Sequence, residues 1–209
     1  IYTLSLHDAL PILASFKAIA QVPPIEITSL PNEDDMMALY YTSGSTGNPK
    51  GVIHTFHTFD FSKYILETLK DVNPLIMGMT LSMFFVVSEY MLATLCVGGK
   101  VVIVPPPLIK DIRQIEAFYY QHHITYAFFT PSILRHFRGN LPDLKLVMVA
   151  SERVSGIAPN GYKLVNIYGQ TETGEGCFKF DIDKAYENTP IGKPTMDHFE
   201  YKILRDDLQ

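Results

Sequence analysis

From Lys100 to Phe137 short apolar runs and breakers alternate with apolar residues at helical spacing, and two more apolar runs follow before Gly169. KVVIVPPP (100–107) is a strand closed by prolines, and IKDIRQIEAFYYQHH (109–123) is an amphipathic helix. ITYAFF (124–129) is a strand, and PSILRHF (131–137) is a helix with proline in its first turn. LKLVMVA (144–150) and KLVNIYG (163–169) are further strands. Strands this continuous in apolar residues are buried on both faces, and their alternation with helices gives an α/β fold with mainly parallel sheets flanked by helices. Upstream, MMALYYT (36–42) and GVIHT (51–55) read as strands. Phe61, Tyr64, Ile65, Leu69 and Val72 mark a helix, and EYMLATLCVGG (89–99) reads as a helix stopped by its glycines. EYKIL (200–204) reads as one more strand.

Composition narrows the function classes. The 209 residues carry a net charge of −5 with lysine and arginine scattered, so no basic stripe offers itself to nucleic acid. Cys96 and Cys177 lie far apart with no CxxC spacing, as in a reduced, cytoplasmic protein. The longest apolar run, Pro74 to Val87, falls short of a membrane span and is followed by Glu89, so it is expected in the core. No Lys- or Arg-rich signal-peptide start opens the chain. His54, His57, His122, His123, His136 and His198 lack the paired spacing of a zinc site and read as surface or core histidines.

The chemistry concentrates in YYTSGSTGNPKGV (40–52). Glycines let backbone N–H groups converge on an anion, Lys50 adds charge, and Thr42, Ser43, Ser45 and Thr46 add hydroxyls. A Walker loop needs glycine before the lysine and Ser or Thr after it; here Pro49 and Gly51 stand there. A hydrolase elbow, GxSxG, does not fit Gly44-Ser45-Thr46-Gly47 either. By composition alone the segment is either a phosphate cradle or a flexible surface turn.

The full string YTSGSTGNPKGV resembles the signature of the adenylate-forming superfamily: acyl-CoA synthetases, adenylation domains of nonribosomal peptide synthetases, and luciferases. LVNIYGQTETGE (164–175) resembles that family's Asn-x-Tyr-Gly-x-Thr-Glu block, and PIGKP (190–194) its Pro-Ile-Gly-x-Pro block, in the family's order. The resemblance covers about 34–204 and implies ATP-dependent activation of a carboxylic acid to an acyl-adenylate with loss of pyrophosphate. Transfer to a thiol usually follows, on CoA or a carrier protein's phosphopantetheine. It implies that Thr42, Ser43, Gly44, Ser45, Thr46, Gly47 and Lys50 wrap the β- and γ-phosphates, with Lys50 neutralising the departing pyrophosphate. Asn166, Ile167, Tyr168 and Gly169 would hold adenine, with Tyr168 stacked on the ring. Thr171 would touch the α-phosphate and Glu172 would hold Mg²⁺. Ala150 and Ser151 stand where the family has a glycine-rich turn against the adenosine.

FFVVSEYMLATLCVGG (84–99) is similar to a family helix whose second position is aspartate in peptide-synthetase domains, where it grips the substrate's α-amine. Here that position is Phe85, which cannot pair an ammonium, so the expected substrate is not a standard α-amino acid bound in the standard way. The same correspondence places Val86 and Glu89 at the acyl pocket, with Glu175 and Gly176. Glu89 either holds an amine or hydroxyl deep in the substrate, or faces solvent or caps a neighbour. TLSLHDALPI (3–12) matches the translated end of a widely used sequencing adapter, so residues 1–12 are expected to be extraneous and 13–209 to be part of an AMP-binding domain. The family's later ribose-binding Asp block and its lid-domain lysine do not occur before the last residue, so the expectation is that the chain alone does not turn over. The competing reading is a non-catalytic nucleotide-binding or scaffold remnant; retention of Lys50 and Glu172 argues against it.

Overall fold

A computed structural model describes residues 29–43, 48–58, 62–139, 141–196 and 200–204, without the side chains of 62–64 and 175. Gly44, Ser45, Thr46, Gly47 and His198, and the residues 1–12, therefore lie outside the described residues. So does Phe61, and the Tyr64 side chain with it.

Strands β1 (Met36–Thr42) and β2 (Lys50–Thr55) form an antiparallel pair. Tyr40 lies opposite Val52, and Thr42 opposite Lys50. The pair is amphipathic by strand alternation: Tyr40 and His54 point inward and are buried, while Leu39, Tyr41 and Ile53 face outward.

The rest is a seven-stranded sheet of order β4-β3-β5-β6-β7-β8-β9. Its strands are β3 (Ile76–Met79), β4 (Lys100–Ile103), β5 (Tyr126–Phe129), β6 (Leu146–Val149), β7 (Lys163–Gln170), β8 (Gly174–Ile182) and β9 (Lys193–Pro194). β4, β3, β5, β6 and β7 run parallel; β8 and β9 are added antiparallel. The helices are α1 (Ser62–Leu69), α2 (Ser88–Cys96), α3 (Ile112–Gln121) and the single turn α4 (Pro131–Leu134).

Alternation along the central strands sorts the core into two layers. Tyr126, Phe128, Leu146, Met148, Val165 and Ile167 pack with Ile65, Leu69, Tyr90 and Ala93 of α1 and α2. Ala127, Phe129, Val147, Val149 and Leu164 point the other way, onto Ile115 and Tyr119 of α3, and onto Leu134 and Phe137. The expected α/β class, a mainly parallel sheet covered by helices, is what the chain adopts.

Local sequence sets the element ends. Asp111 caps α3, its carboxylate accepting from the Arg113 N–H at 2.9 Å. α2 ends in a Schellman motif: Gly98 takes φ +78°, its N–H bonds the Leu95 carbonyl, and the Gly99 N–H bonds that of Thr94. EYKIL does not form the expected strand: 200–204 have no regular structure and are all exposed. At that end of the sheet β8 pairs β7 on one side and Lys193–Pro194 on the other. Among the described residues no helix is long and apolar enough to cross a membrane.

Candidate functional site

Residues at and just after the C-terminal end of β7 border two cavities. The first has a volume of about 790 Å³. Thr42, Ser43 and Pro49 border it from the hairpin, Phe85 and Val86 from the segment leading into α2, and Thr171 from the turn after β7. Residues assigned from separate stretches of sequence thus share one space: Thr42 and Ser43 of the loop, Phe85 and Val86 of the acyl pocket, and Thr171. Lys50 is exposed at the start of β2, one residue past Pro49 and paired in register with Thr42.

The second cavity, of about 380 Å³, is bordered by Ser151, Asn166, Ile167, Tyr168 and Gly169, the residues assigned to adenosine, and by Glu152, Thr189 and Ile191. Tyr168 is 53% exposed, which leaves a ring face open for stacking. Ser151 adopts φ +75°, the left-handed conformation that favours glycine, so the backbone keeps the glycine-type turn although the side chain differs. Ala150 does not border this cavity; it is buried in the core beside Met148 and Ile167. Asn166 is nearly buried, and its amide donates to the Pro190 carbonyl at 2.9 Å. That bond ties the Asn-x-Tyr-Gly block to the Pro-Ile-Gly block, a role the sequence did not reveal. Glu152, the last residue of the stretch 150–152 that stands where the family has its glycine-rich turn, has a tie the sequence did not reveal: its carboxylate accepts from the Ser132 hydroxyl at 2.6 Å and from the Ser132 N–H at 3.2 Å.

Thr171–Thr173 is a single 3₁₀ turn directly after β7; Thr171 borders the first cavity and Glu172 borders neither. Glu172 is exposed there. Among the described residues no cluster of three potential metal ligands occurs, and Glu172 offers a single carboxylate. That suits Mg²⁺, which keeps several waters and binds through one or two carboxylates and substrate phosphates. Gly176 is buried in β8 and borders neither cavity; the Glu175 side chain lies outside the described residues.

Glu89 is in the first turn of α2, fully buried, and not part of either cavity's lining. It neither faces solvent nor borders the first cavity. Instead its Oε1 lies 2.6 Å from Nδ1 of His54, whose Nε2 lies 2.6 Å from the Thr171 carbonyl. A carbonyl only accepts, so Nε2 carries a proton and donates. Burial pushes the Glu89 carboxyl above its usual range, while His54 and the Tyr40 hydroxyl pull part of the way back. Tyr40 sits edge-on to the His54 ring at 5.0 Å and shares a 3.1 Å hydrogen bond with Ser88. One signal in the sequence pointed this way: in GVIHT, His54 falls in phase with Val52 on the inward face of β2.

A model of the family "AMP-binding enzyme" matches residues 4–209. The chain belongs to that family. It is 31% identical over 188 residues to chondramide synthase of Chondromyces crocatus, covering 82% of this chain and 5% of that one. It is 28% identical over 189 residues to bacitracin synthase 1 of Bacillus licheniformis, covering 88% of this chain and 4% of that one. The chain therefore spans about a twentieth of the length of these AMP-binding relatives. Among solved structures, the AMPPNP-bound form of the nonribosomal peptide synthetase FmoA3 matches 81% of this chain with TM-score 0.72 and 21% identity, covering 20% of that chain. The Vibrio cholerae adenylation domain AlmE, solved with glycyl-adenosine-5′-phosphate, matches 82% with TM-score 0.67 and 20% identity, covering 35% of that chain. At these identities the solved structures speak to the fold alone.

Proposed function

We propose that the protein carrying this chain uses ATP to activate a carboxylic acid as an acyl-adenylate. The observation that carries this reading is the junction at the end of β7, where Tyr168 and Gly169 border one cavity and Thr171, just after the strand, borders the other. Loop residues Thr42 and Ser43 share one with Thr171, and Tyr168 stands in the other. A nucleotide laid across that junction puts adenine against Tyr168, its α-phosphate at Thr171, and its β- and γ-phosphates at the Thr42–Lys50 loop. Attack by the carboxylate oxygen on the α-phosphorus forms the acyl–phosphate bond and releases pyrophosphate. The chain's part in this is positioning and charge neutralisation. The hydroxyls of Thr42 and Ser43 orient the outer phosphates, and Lys50 offsets the charge that departs. Glu172 would hold Mg²⁺, which supplies further neutralisation of the phosphates when bound.

The acid lies beside Phe85 and Val86, in a cavity whose protein walls are mostly apolar. Phe85 cannot pair an α-ammonium, and Glu89 is engaged by His54. Both favour a carboxylic acid without a free α-amine. A thiol of CoA or of a carrier protein then takes the acyl group; the peptide-synthetase relatives favour the carrier. ATP–pyrophosphate exchange by the full-length protein across a panel of aryl, alkyl and amino acids tests the reading. Exchange with non-amino acids that is lost in Lys50→Ala and Glu172→Gln is expected. Exchange driven best by ordinary α-amino acids overturns the substrate class, and no exchange with any acid overturns the activity.

A further inference from the structure

The bridge from Glu89 through His54 to Thr171 joins residues 35 and 117 positions apart in sequence. It brings together helix α2, which follows the cavity-lining segment 84–86, the second strand of the hairpin, and the turn after β7. Both bonds are 2.6 Å, and both side chains are buried, His54 to 1% exposure and Glu89 to none. A buried polar pair is a costly way to fill space that apolar residues would fill as well. What it provides here is a fixed donor. The Thr171 carbonyl already accepts from the Gly174 N–H that closes the turn, and His54 takes its second lone pair. With both acceptor sites filled, the peptide after Thr171 cannot rotate without leaving a buried imidazole N–H unsatisfied.

Resting on the function proposed above, we propose that His54 and Glu89 are positioning residues for the Thr171–Glu172 turn. Glu89 holds the imidazole with Nε2–H toward the turn. His54 holds the Thr171 carbonyl. The Thr171 hydroxyl and the Glu172 carboxylate are thereby fixed relative to the nucleotide loop, whose second strand carries His54 itself. Neither residue touches the nucleotide.

The chemistry of the bridge sets the test. In Glu89→Gln, the amide can donate to Nδ1, so the neutral imidazole keeps Nε2–H and its bond to Thr171. In Glu89→Leu nothing orients the ring. In His54→Phe the carbonyl loses its partner. Three measurements on the same protein compare these variants: AMP affinity by calorimetry, backbone amide exchange at 171–174, and the tautomer of ¹⁵N-labelled histidine. His54→Phe and Glu89→Leu are expected to weaken AMP binding about tenfold, as loss of an outer-shell support does in metal sites, and to speed exchange in the turn. Glu89→Gln is expected to lose less than about a third of that effect on a logarithmic scale, with Nε2–H retained. Equal losses in Glu89→Gln and Glu89→Leu while the Gln variant keeps Nε2–H overturn the proposal. So does unchanged exchange at 171–174 in His54→Phe. Should His54→Phe not fold, the two Glu89 variants decide the matter. No AMP binding by the parent, with turn exchange still set by Glu89, overturns the functional reading and leaves the bridge standing as a structural tie.

Discussion

Single residues carry the departures from what the sequence promised. Ser151 was read as a bulkier stand-in for glycine, and the backbone at φ +75° answers that it occupies glycine's conformation. A side chain there costs on the order of 1 kcal/mol, so Ser151→Gly is expected to raise stability by up to about that much, or Tm by roughly 2–4 °C. Thermal unfolding checks this; a fall in Tm would mean that the serine makes a bond worth more than the strain. Glu89 gives a second prediction, with its sign set by burial. Its carboxyl is held above the usual 4.5, so the folded state binds that proton more tightly than the unfolded chain. The resulting stability is fully present below 4.5 and is lost as pH rises through the raised value. Glu89→Gln has no charge to bury. It should gain on the parent in chemical denaturation at about pH 8 and lose that advantage at about pH 4. Equal differences at both pH values would count against it. Neither pairing of Glu89 was legible beforehand. A buried His–Glu contact across 35 residues leaves no local pattern, and His54 looked like one of several scattered histidines.

At the scale of elements, legibility followed burial. β5, β6 and β7 announced themselves because strands covered on both faces are continuous apolar runs. β8 was missed because GEGCFKFDI mixes glycine and charge, and its place comes from pairing with β7, not from its own composition. EYKIL erred the other way, an apolar run that pairs with no strand and stays exposed. The Pro-Ile-Gly block shows how a motif read for function can have a structural cause. A Cβ at Gly192 would stand 1.6 Å from the Lys179 carbonyl oxygen, at φ +92°. Only glycine lets the chain pass β8 closely enough for Lys193 and Pro194 to pair with it. Gly192→Ala is therefore expected to cost about 2–3 kcal/mol and to free the Asn166 amide from Pro190. Urea denaturation and amide exchange along β8 would register it; a loss below about 0.5 kcal/mol would show that this strand end relaxes cheaply.

At the scale of the whole molecule, residues at and just after the end of β7 border two cavities with different linings, and that makes a prediction about ligands. ATP and AMP share adenosine and the α-phosphate; only ATP extends to the loop of Thr42, Ser43 and Lys50. If the first cavity takes the outer phosphates, Lys50→Ala and Ser43→Ala weaken ATP and leave AMP nearly untouched. If the second takes adenine, Tyr168→Ala weakens both alike. Loss of an aromatic face under a base costs about 1–3 kcal/mol, which is at least fivefold in affinity. Lys50 is exposed and therefore partly screened by water and salt, so its effect on ATP should shrink as ionic strength rises, whereas the Tyr168 effect should not. Calorimetric titration of both nucleotides into the three variants at two salt concentrations separates the halves. Equal weakening of AMP and ATP by Lys50→Ala would place the lysine at the α-phosphate, and a Tyr168→Ala variant that binds both as the parent does would remove adenine from the second cavity.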